Sequence, residues 1–136
     1  MSELSKLRLT VMPNGFATFI TDNNATIKTG NYTVITTDDS GKTLVSTLDG
    51  ITYTLPAIAV GNTVTFVNMA GDGLAALNIS PNSSDGITYA GSSTDNKDLI
   101  NAKATAKKGD FVTLASLSGT AAWQVVAVRG TWSKEA

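Results

Sequence analysis

Short runs of β-branched and aromatic residues, separated by turns rich in glycine and asparagine, restrict this chain's fold more than any other feature. Tyr32–Thr36 and Ile51–Leu55 alternate apolar and polar residues, the period of a strand with one buried face. Val64–Val67 and Phe111–Leu114 alternate less strictly, and Trp123–Val128 has the continuous apolar pattern of a more fully buried strand. We count about nine such runs, at the spacing of about 8–12 residues that is typical of sandwiches and barrels.

Turn dipeptides that tolerate positive φ stand between several of these runs. Asn14-Gly15 follows the run Leu7–Met12 and precedes the run Phe16–Ile20. Asp49-Gly50 stands in the same way directly before Ile51–Leu55. Because two-residue turns of this composition join antiparallel strands, we expect a hairpin at each position.

Helix signals are scarce. The best candidate is 96–103, behind a possible cap at Asp95, and the same residues fit an extended segment equally well. The sequence therefore predicts an all-β protein: a compact β-sandwich or β-barrel-like domain with hairpins and little helix. A polar stretch at 21–26 precedes the densely patterned region, so we expect residues 1–30 to form an N-terminal arm or outlying hairpin and residues 31–136 the core domain. The alternative is that residues 7–20 are the first two strands of one fold.

Charge balance and missing residue types exclude several classes of function. The chain has 10 Lys+Arg and 11 Asp+Glu, and this near-neutral balance argues against a nucleic-acid partner. It has no His and no Cys, which excludes the usual zinc sites, Ser–His and Cys–His nucleophiles and disulfides. No apolar run approaches the roughly 20 residues that span a membrane, and the first residues do not match a secretory signal. We therefore expect neither nucleic acid nor membrane as a partner.

Three features resemble chemical sites, and each has a simpler interpretation. Residues 36–43 end like a phosphate-binding loop, but Thr36 replaces the required glycine and a strand pattern follows, so a surface turn is favoured. The aspartates nearly all adjoin Gly, Asn or Ser, which favours turn stabilisation over a glycosidic acid–base pair. The polar segments 95–98 and 22–24 match no recognised calcium loop. We predict no catalytic residue, no cofactor and no metal site.

Most aromatic residues are assigned to the core, because they lie on the strand runs. These residues are Tyr32, Tyr53, Phe66, Phe111 and Trp123. Trp132 differs, since it lies beyond Gly130 near a polar end, where a large apolar side chain often crosses a subunit boundary. For Trp132 an interface and the chain's own core remain equally open.

An ordered series of short motifs runs through about three-quarters of the chain. It comprises Tyr32-Thr33-Val34, Asp39-Ser40-Gly41-Lys42-Thr43-Leu44, Tyr53-Thr54-Leu55-Pro56-Ala57, Gly61–Asn68, Leu77-Asn78-Ile79-Ser80-Pro81, Asp85-Gly86-Ile87, Asp95–Asn101, Gly109–Leu114, and Trp123 with Gly130-Thr131-Trp132. In this order the motifs resemble small virion proteins of tailed bacteriophages, of the head decoration or head-fibre type.

The resemblance implies a homotrimer that binds the major capsid protein and stabilises contacts between capsomers. It would be made in the cytoplasm of the host bacterium and would work on the outer surface of the capsid. No catalytic residue is carried over. The alternative is a tail-fibre or baseplate receptor-binding module, which exposed aromatic residues would favour. We expect the interface at apolar residues of the N-terminal segment and at the last tryptophan: Leu7, Leu9, Phe16, Phe19, Ile20 and Trp132.

Overall fold

A computed structural model of the chain describes residues 7–11, 17–21, 24–118 and 122–136, with side chains described from residue 24 onward. Strands make up 45% of the structure and helix 4%. The predicted all-β class is therefore confirmed. The two larger sheets are both mixed, with parallel and antiparallel neighbours in each.

The elements are short and follow one another closely along the described residues. The strands are β1 (Leu7–Val11), β2 (Ala17–Thr21), β3 (Ala25–Lys28), β4 (Tyr32–Thr33), β5 (Thr43–Ser46), β6 (Ile51–Thr54), β7 (Thr63–Asn68), β8 (Leu77–Ser80), β9 (Gly86–Thr88), β10 (Leu99–Asn101), β11 (Asp110–Ala115), β12 (Ala122–Arg129) and β13 (Ser133–Lys134). One helical turn, α1 (Thr36–Asp39), lies between β4 and β5.

From β3 to β8, successive strands alternate between two sheets. The six-stranded sheet has the order β3-β5-β7-β11-β12-β9, and the five-stranded sheet has the order β13-β10-β8-β6-β4. Because the chain returns to each sheet after one strand in the other, β3, β5 and β7 are parallel neighbours, and so are β4, β6 and β8. Antiparallel pairing begins where β11 joins β7 and β10 joins β8.

This alternation contradicts the hairpin that was predicted at Asp49-Gly50. The dipeptide does form a turn, and Gly50 has a φ of 77°. The strands on either side, β5 and β6, nevertheless lie in different sheets. The turn therefore carries the chain from one sheet to the other, because the alternating side chains of both strands can then face one shared core.

The segment 96–103 and the strand predicted over Tyr32–Thr36 have different outcomes. The extended alternative holds for 96–103, where β10 occupies Leu99–Asn101. The strand predicted over Tyr32–Thr36 ends at Thr33, and α1 begins at Thr36. The buried Asp39 carboxylate explains this turn, since its Oδ2 accepts hydrogen bonds from the Tyr32 hydroxyl at 2.7 Å and from the Ile35 N–H at 2.8 Å.

The N-terminal hairpin is the predicted hairpin that does form. β1 and β2 pair antiparallel and make a two-stranded sheet of their own. The residues between them, including Asn14-Gly15 and Phe16, lie outside the described part. β3 also falls within residues 1–30, and it pairs with β5 in the six-stranded sheet. The division into an arm of residues 1–30 and a core of 31–136 stays a prediction.

One hydrophobic cluster receives side chains from both larger sheets. The six-stranded sheet contributes Leu44, Phe66 and Trp123, and the five-stranded sheet contributes Tyr53 and Leu77. The Tyr53 and Phe66 rings meet with their centroids 5.0 Å apart. Because burying each large apolar side chain stabilises the fold by about 1.5–3 kcal/mol, this shared cluster joins the two sheets.

A buried polar network joins the same two sheets at the end where β7 finishes. Asn68 on β7 donates through its Nδ2 to the Asn101 Oδ1 on β10 at 2.8 Å. Asn101 in turn donates through its Nδ2 to the Asp110 Oδ2 at 3.1 Å and to the Thr131 carbonyl at 3.1 Å. The Lys107 N–H donates to the same Asp110 oxygen at 2.9 Å. Since an unpaired buried polar group is costly, these bonds hold the loops at this end in place.

Candidate protein interaction surface

An apolar row crosses the outer face of the six-stranded sheet, which is the face turned away from the core. In the strand register Ile27 pairs with Val45, Val45 with Val67, and Val67 with Phe111. Arg129 stands beyond Phe111 at the end of the row. Ile27 is 62% exposed, and the next three side chains are half-buried. We call Ile27, Val45, Val67 and Phe111 the apolar row.

Strand alternation places these residues outside. Leu44, Phe66 and Val112 are neighbours of the row along their strands, and all three are buried in the core. Successive residues of a strand point to opposite faces, so Val45 and Val67 lie on the outer face. The row is therefore an addition to the fold, because the inner positions of the same strands already supply the core.

A second row, parallel to the first, is uncharged. Thr65 and Thr113 pair across β7 and β11, and their hydroxyls are 2.8 Å apart in a hydrogen bond. The full row in register is Ala25, Thr43, Thr65, Thr113 and Ala127. Together the two rows form a surface whose only charged residue is Arg129. We call both rows together the outer face.

The last half of β12 also carries exposed apolar side chains, but Val128 pairs with the core residue Val112 and so lies on the side opposite the outer face. Val126 is 51% exposed and Val128 is 42% exposed, whereas Trp123 is fully buried. The pairing of β11 with β12 shifts register between Thr113 and Leu114. The prediction of a more fully buried strand is therefore right for the start of β12 and wrong for its end, where the strand passes the edge of the core.

The predicted interface residues do not form this surface. Leu7 and Leu9 lie on β1, Phe19 and Ile20 lie on β2, and the register pairs Leu9 with Phe19. Phe16 lies outside the described residues. For the four residues on β1 and β2, a role in an interface stays a prediction.

Trp132 belongs to the core of its own chain. Its side chain is 5% exposed and is part of the hydrophobic cluster, and its Nε1 donates to the Arg129 carbonyl at 3.0 Å. A side chain with so little free area has almost nothing to bury against another subunit. We therefore replace the expected interface role of Trp132 by a role in the core.

Sequence reasoning missed the apolar row, although a signal for it exists. Leu44-Val45, Phe66-Val67 and Phe111-Val112 are pairs of consecutive apolar residues on strands. A strand with one wet face needs an apolar residue only at every second position. Three strands that break this rule at adjacent register positions indicate an outer face with apolar character of its own.

Three of the aspartates that the sequence analysis placed in turns are buried. Asp39, Asp85 and Asp110 are each less than a tenth exposed. All three accept hydrogen bonds from backbone N–H groups: Asp39 from Ile35, Asp85 from Ile58, and Asp110 from Lys107. They hold loops in place from inside the protein, and Asp85 does so through a residue 27 positions away instead of within its own turn.

The turn at 36–43 is less exposed than predicted. Asp39 and Lys42 are buried within it, and β5 follows it as the strand that the sequence indicated. Tyr32 donates its hydroxyl to Asp39, and burial together with this hydrogen bond raises the pKa of the tyrosine. The segment is a turn between β4 and β5, and the buried side chain of Asp39 stabilises its conformation.

In residues 24–118 and 122–136 no cavity of ligand size is found, and no three acidic side chains converge as metal ligands would. The described part of the chain contains no helix that is long and apolar enough to span a membrane. No protein-family model matches the sequence. No curated protein matches it either.

Proposed function

We propose that this chain is a bacteriophage capsid decoration protein, which binds the outer surface of the assembled head as a homotrimer and stabilises contacts between capsomers. The observation that carries the proposal is the outer face, a wide and nearly uncharged sheet surface crossed by the apolar row. The ordered motifs from Tyr32 to Trp132 support the same assignment by resemblance. The major capsid protein and further copies of this chain are the partners we propose.

Such a protein acts through contact area. Apolar surface removed from water contributes about 25 cal/mol for each Å² buried, and contiguous exposed apolar patches mark interaction sites. The only charged residue of the row is Arg129 at its end, so a partner protein can cover Ile27, Val45, Val67 and Phe111 without burying an unpaired charge. When several linked copies dock together, the later contacts become intramolecular, so modest individual contacts hold firmly.

For the fold we propose a β-sandwich, with the two larger sheets packed face to face. The shared hydrophobic cluster and the contact between the Tyr53 and Phe66 rings support this arrangement. A sandwich suits the function, because its two outer faces are rigid and separate, and one of them can bind protein while the other stays in water.

The test is the abundance of the chain in purified particles and its binding to empty capsids. We expect a copy number comparable with that of the major capsid protein, and a higher melting temperature for capsids that carry the chain than for stripped capsids. Only a few copies per particle, as in a tail fibre or baseplate, would refute the decoration role. Binding to cell-surface glycans without binding to capsids would support the receptor-binding alternative instead.

A pair of matched variants tests the surface itself. Val45→Lys introduces a charge into the apolar row, and Thr54→Lys introduces the same charge at an exposed position of the five-stranded sheet. We expect Val45→Lys to weaken capsid binding and Thr54→Lys to leave it unchanged. Equal binding by both variants would remove the outer face from the proposal.

A further inference from the structure

Three of the four outer edges of the two larger sheets are short or covered. β4 and β13, at the two ends of the five-stranded sheet, have two residues each. At one end of the six-stranded sheet, Gly86 of β9 pairs with Ala122 on one side and forms a bridge with Asp95 on the other. β3, at the opposite end of that sheet, has four residues and no further strand beside it among the described residues. Open strand edges pair readily with strands of other chains, which is why proteins usually shorten or cover them.

The hydrogen bonds to β5 show which backbone groups of β3 point to this open edge. The Thr43 N–H of β5 donates to the Asn24 carbonyl at 2.8 Å. In a parallel pair, both backbone groups of one residue point to the same neighbouring strand, and those of the next residue point to the opposite side. Thr26 therefore bonds to β5, like Asn24. The N–H and C=O groups of Ala25 and Ile27 point to the open edge.

An antiparallel copy of β3 would satisfy these groups. With Ile27 of one chain opposite Ile27 of a second copy, the two residues exchange both N–H···O=C bonds, as hydrogen-bonded pairs of antiparallel strands do. Ala25 then lies opposite Thr29 of the second copy. A twofold axis passes between the two Ile27 residues, so each chain gives and receives the same strand.

This register also aligns the faces of the two sheets. Residues that lie directly opposite in an antiparallel pair have their side chains on the same face. The two Ile27 side chains therefore meet on the outer face, and the apolar rows of the two copies become one continuous row. The pairing lies in the plane of the sheet and leaves the outer face uncovered, so it does not compete with a partner that binds there.

The one charged residue of β3 does not oppose the pairing. A lysine on an edge strand commonly prevents association, because its ammonium group blocks the edge. Lys28, however, pairs with the buried Ser46, and its Nζ lies 3.7 Å from the centre of the Tyr32 ring of its own chain. In the register above, Lys28 lies opposite Thr26 of the second copy, so no like charges face each other. Both strands are already ordered in their own sheets, and pairing them orders no new chain.

We propose that two copies of this chain associate through antiparallel pairing of their β3 edges, with Ile27 at the twofold axis. A second copy fits the edge because one register pairs the outward backbone groups, brings Ile27 against Ile27 and opposes no charges. β1 and β2 are hydrogen-bonded to each other in a sheet of their own, and neither is joined to β3. The contact joins copies two by two, so it is separate from any trimer contact. The inference does not rest on the decoration role, because it is measured without any particle.

Disulfide cross-linking of single-cysteine variants is the first test. The natural chain has no cysteine, so an introduced thiol is unique. Ile27→Cys places two thiols in the opposed pair, with Cα atoms about 5.5 Å apart, which a disulfide can span. The matched control Val45→Cys lies on the same face one strand further in, so its two copies would be about 14 Å apart. We expect a covalent dimer from Ile27→Cys and none from Val45→Cys.

Two results of the cross-linking would overturn the proposal. Absence of a dimer from Ile27→Cys would mean that the edge is covered from within the chain or paired in another register. Equal amounts of dimer from both variants would mean that the thiols meet by random collision. If Ile27→Cys alone is cross-linked and capsid binding fails, the paired edge stands and only the decoration role is refuted.

Sedimentation of two variants at the same position is the second test. Ile27→Pro removes the outward N–H and leaves the hydrogen bonds from β3 to β5 in place, whereas Ile27→Thr keeps the N–H and shortens the apolar side chain. We expect the natural chain to pair reversibly with rising concentration, and Ile27→Pro to pair at least about tenfold more weakly. Ile27→Thr should lose less. A natural chain that does not pair, or two variants that pair alike, would contradict an edge held by backbone hydrogen bonds.

Discussion

The outer faces of the two larger sheets differ in chemistry although both sheets use the same alternation. On the six-stranded sheet the register row is Ile27, Val45, Val67 and Phe111, followed by Arg129. On the five-stranded sheet the corresponding row is Thr52, Asn78, Ile100 and Ser133. The first row is apolar up to its last residue, and the second has a single apolar member.

The fold therefore does not require the apolar row. The inner positions of both sheets are similarly apolar, as Leu44 and Phe66 on one sheet and Tyr53 and Leu77 on the other show. A single half-buried apolar residue such as Ile100 is ordinary on a protein surface, whereas contiguous exposed apolar patches mark interaction sites. This contrast supports the proposal that the row contacts other polypeptides.

The largest expected effect separates the core from the contact surface. Trp132→Ala removes a nearly buried indole from the shared cluster, and we expect the free energy of unfolding to fall by about 3–5 kcal/mol. Because Trp132 is not on the outer face, self-association of the folded variant should be unchanged. Chemical denaturation and sedimentation measure the two quantities separately.

A milder variant controls for the volume of the side chain. Trp132→Phe keeps an aromatic ring in the cluster and loses the N–H that donates to the Arg129 carbonyl. We expect a smaller loss of stability than for alanine. If either variant weakened self-association without lowering stability, Trp132 would be a contact residue. Self-association could then not be assigned to the outer face of the six-stranded sheet.

The buried polar network should make the two larger sheets unfold as one cooperative unit. Asp110 on β11 accepts hydrogen bonds from Asn101 on β10 and from the Lys107 N–H. Asp110→Ala removes the acceptor of the Lys107 N–H and one of the two acceptors of the buried Asn101 amide, so we expect a loss of about 2–3 kcal/mol. Asp110→Asn retains an oxygen acceptor of the same shape and should lose less.

Amide hydrogen exchange shows which strands respond to Asp110→Ala. We expect protection to fall in β7 and β10 together, because the Asn68–Asn101 bond connects the network to both sheets. Loss of protection in the six-stranded sheet alone would mean that the two sheets open independently and do not form one cooperative unit.

The strands were predictable from the sequence, and their arrangement was not. Ile51–Leu55 and Phe111–Leu114 were recognised because period-two alternation follows directly from the geometry of a strand. The turn at Asp49-Gly50 was also recognised, yet it was assigned to a hairpin. A turn dipeptide indicates where the chain bends, and tertiary packing decides which sheet the next strand joins.

The candidate surface was predictable from the sequence only in part. Val67 and Phe111 are each visible in the sequence as apolar neighbours of a core residue. Their alignment into one row depends on the parallel pairing of β5 with β7 and the antiparallel pairing of β7 with β11. Register is set by long-range contacts, so the row could be identified only with the structure in hand.

The smallest expected effect concerns the one aromatic hydroxyl buried in the shared core. Tyr53 is fully buried on β6, and its hydroxyl has no hydrogen-bond partner among the described residues. Removing an unsatisfied buried hydroxyl is neutral or stabilising, so we expect Tyr53→Phe to change stability at neutral pH by between zero and about +1 kcal/mol. Tyr32→Phe is the matched control, because Tyr32 donates to Asp39 and its loss should lower stability.

The same variant has a signature in alkali. Burial raises the pKa of Tyr53, so the folded state holds its proton at a pH where the unfolded chain, with a tyrosine pKa of about 10, releases it. The resulting stability is fully present below about pH 10 and is lost as the pH rises further. We expect Tyr53→Phe to lose less stability than the natural chain in denaturant titrations above that pH. An unchanged alkaline slope would show that water reaches this hydroxyl, and that the interior between the two contrasting faces is less closed than its packing indicates.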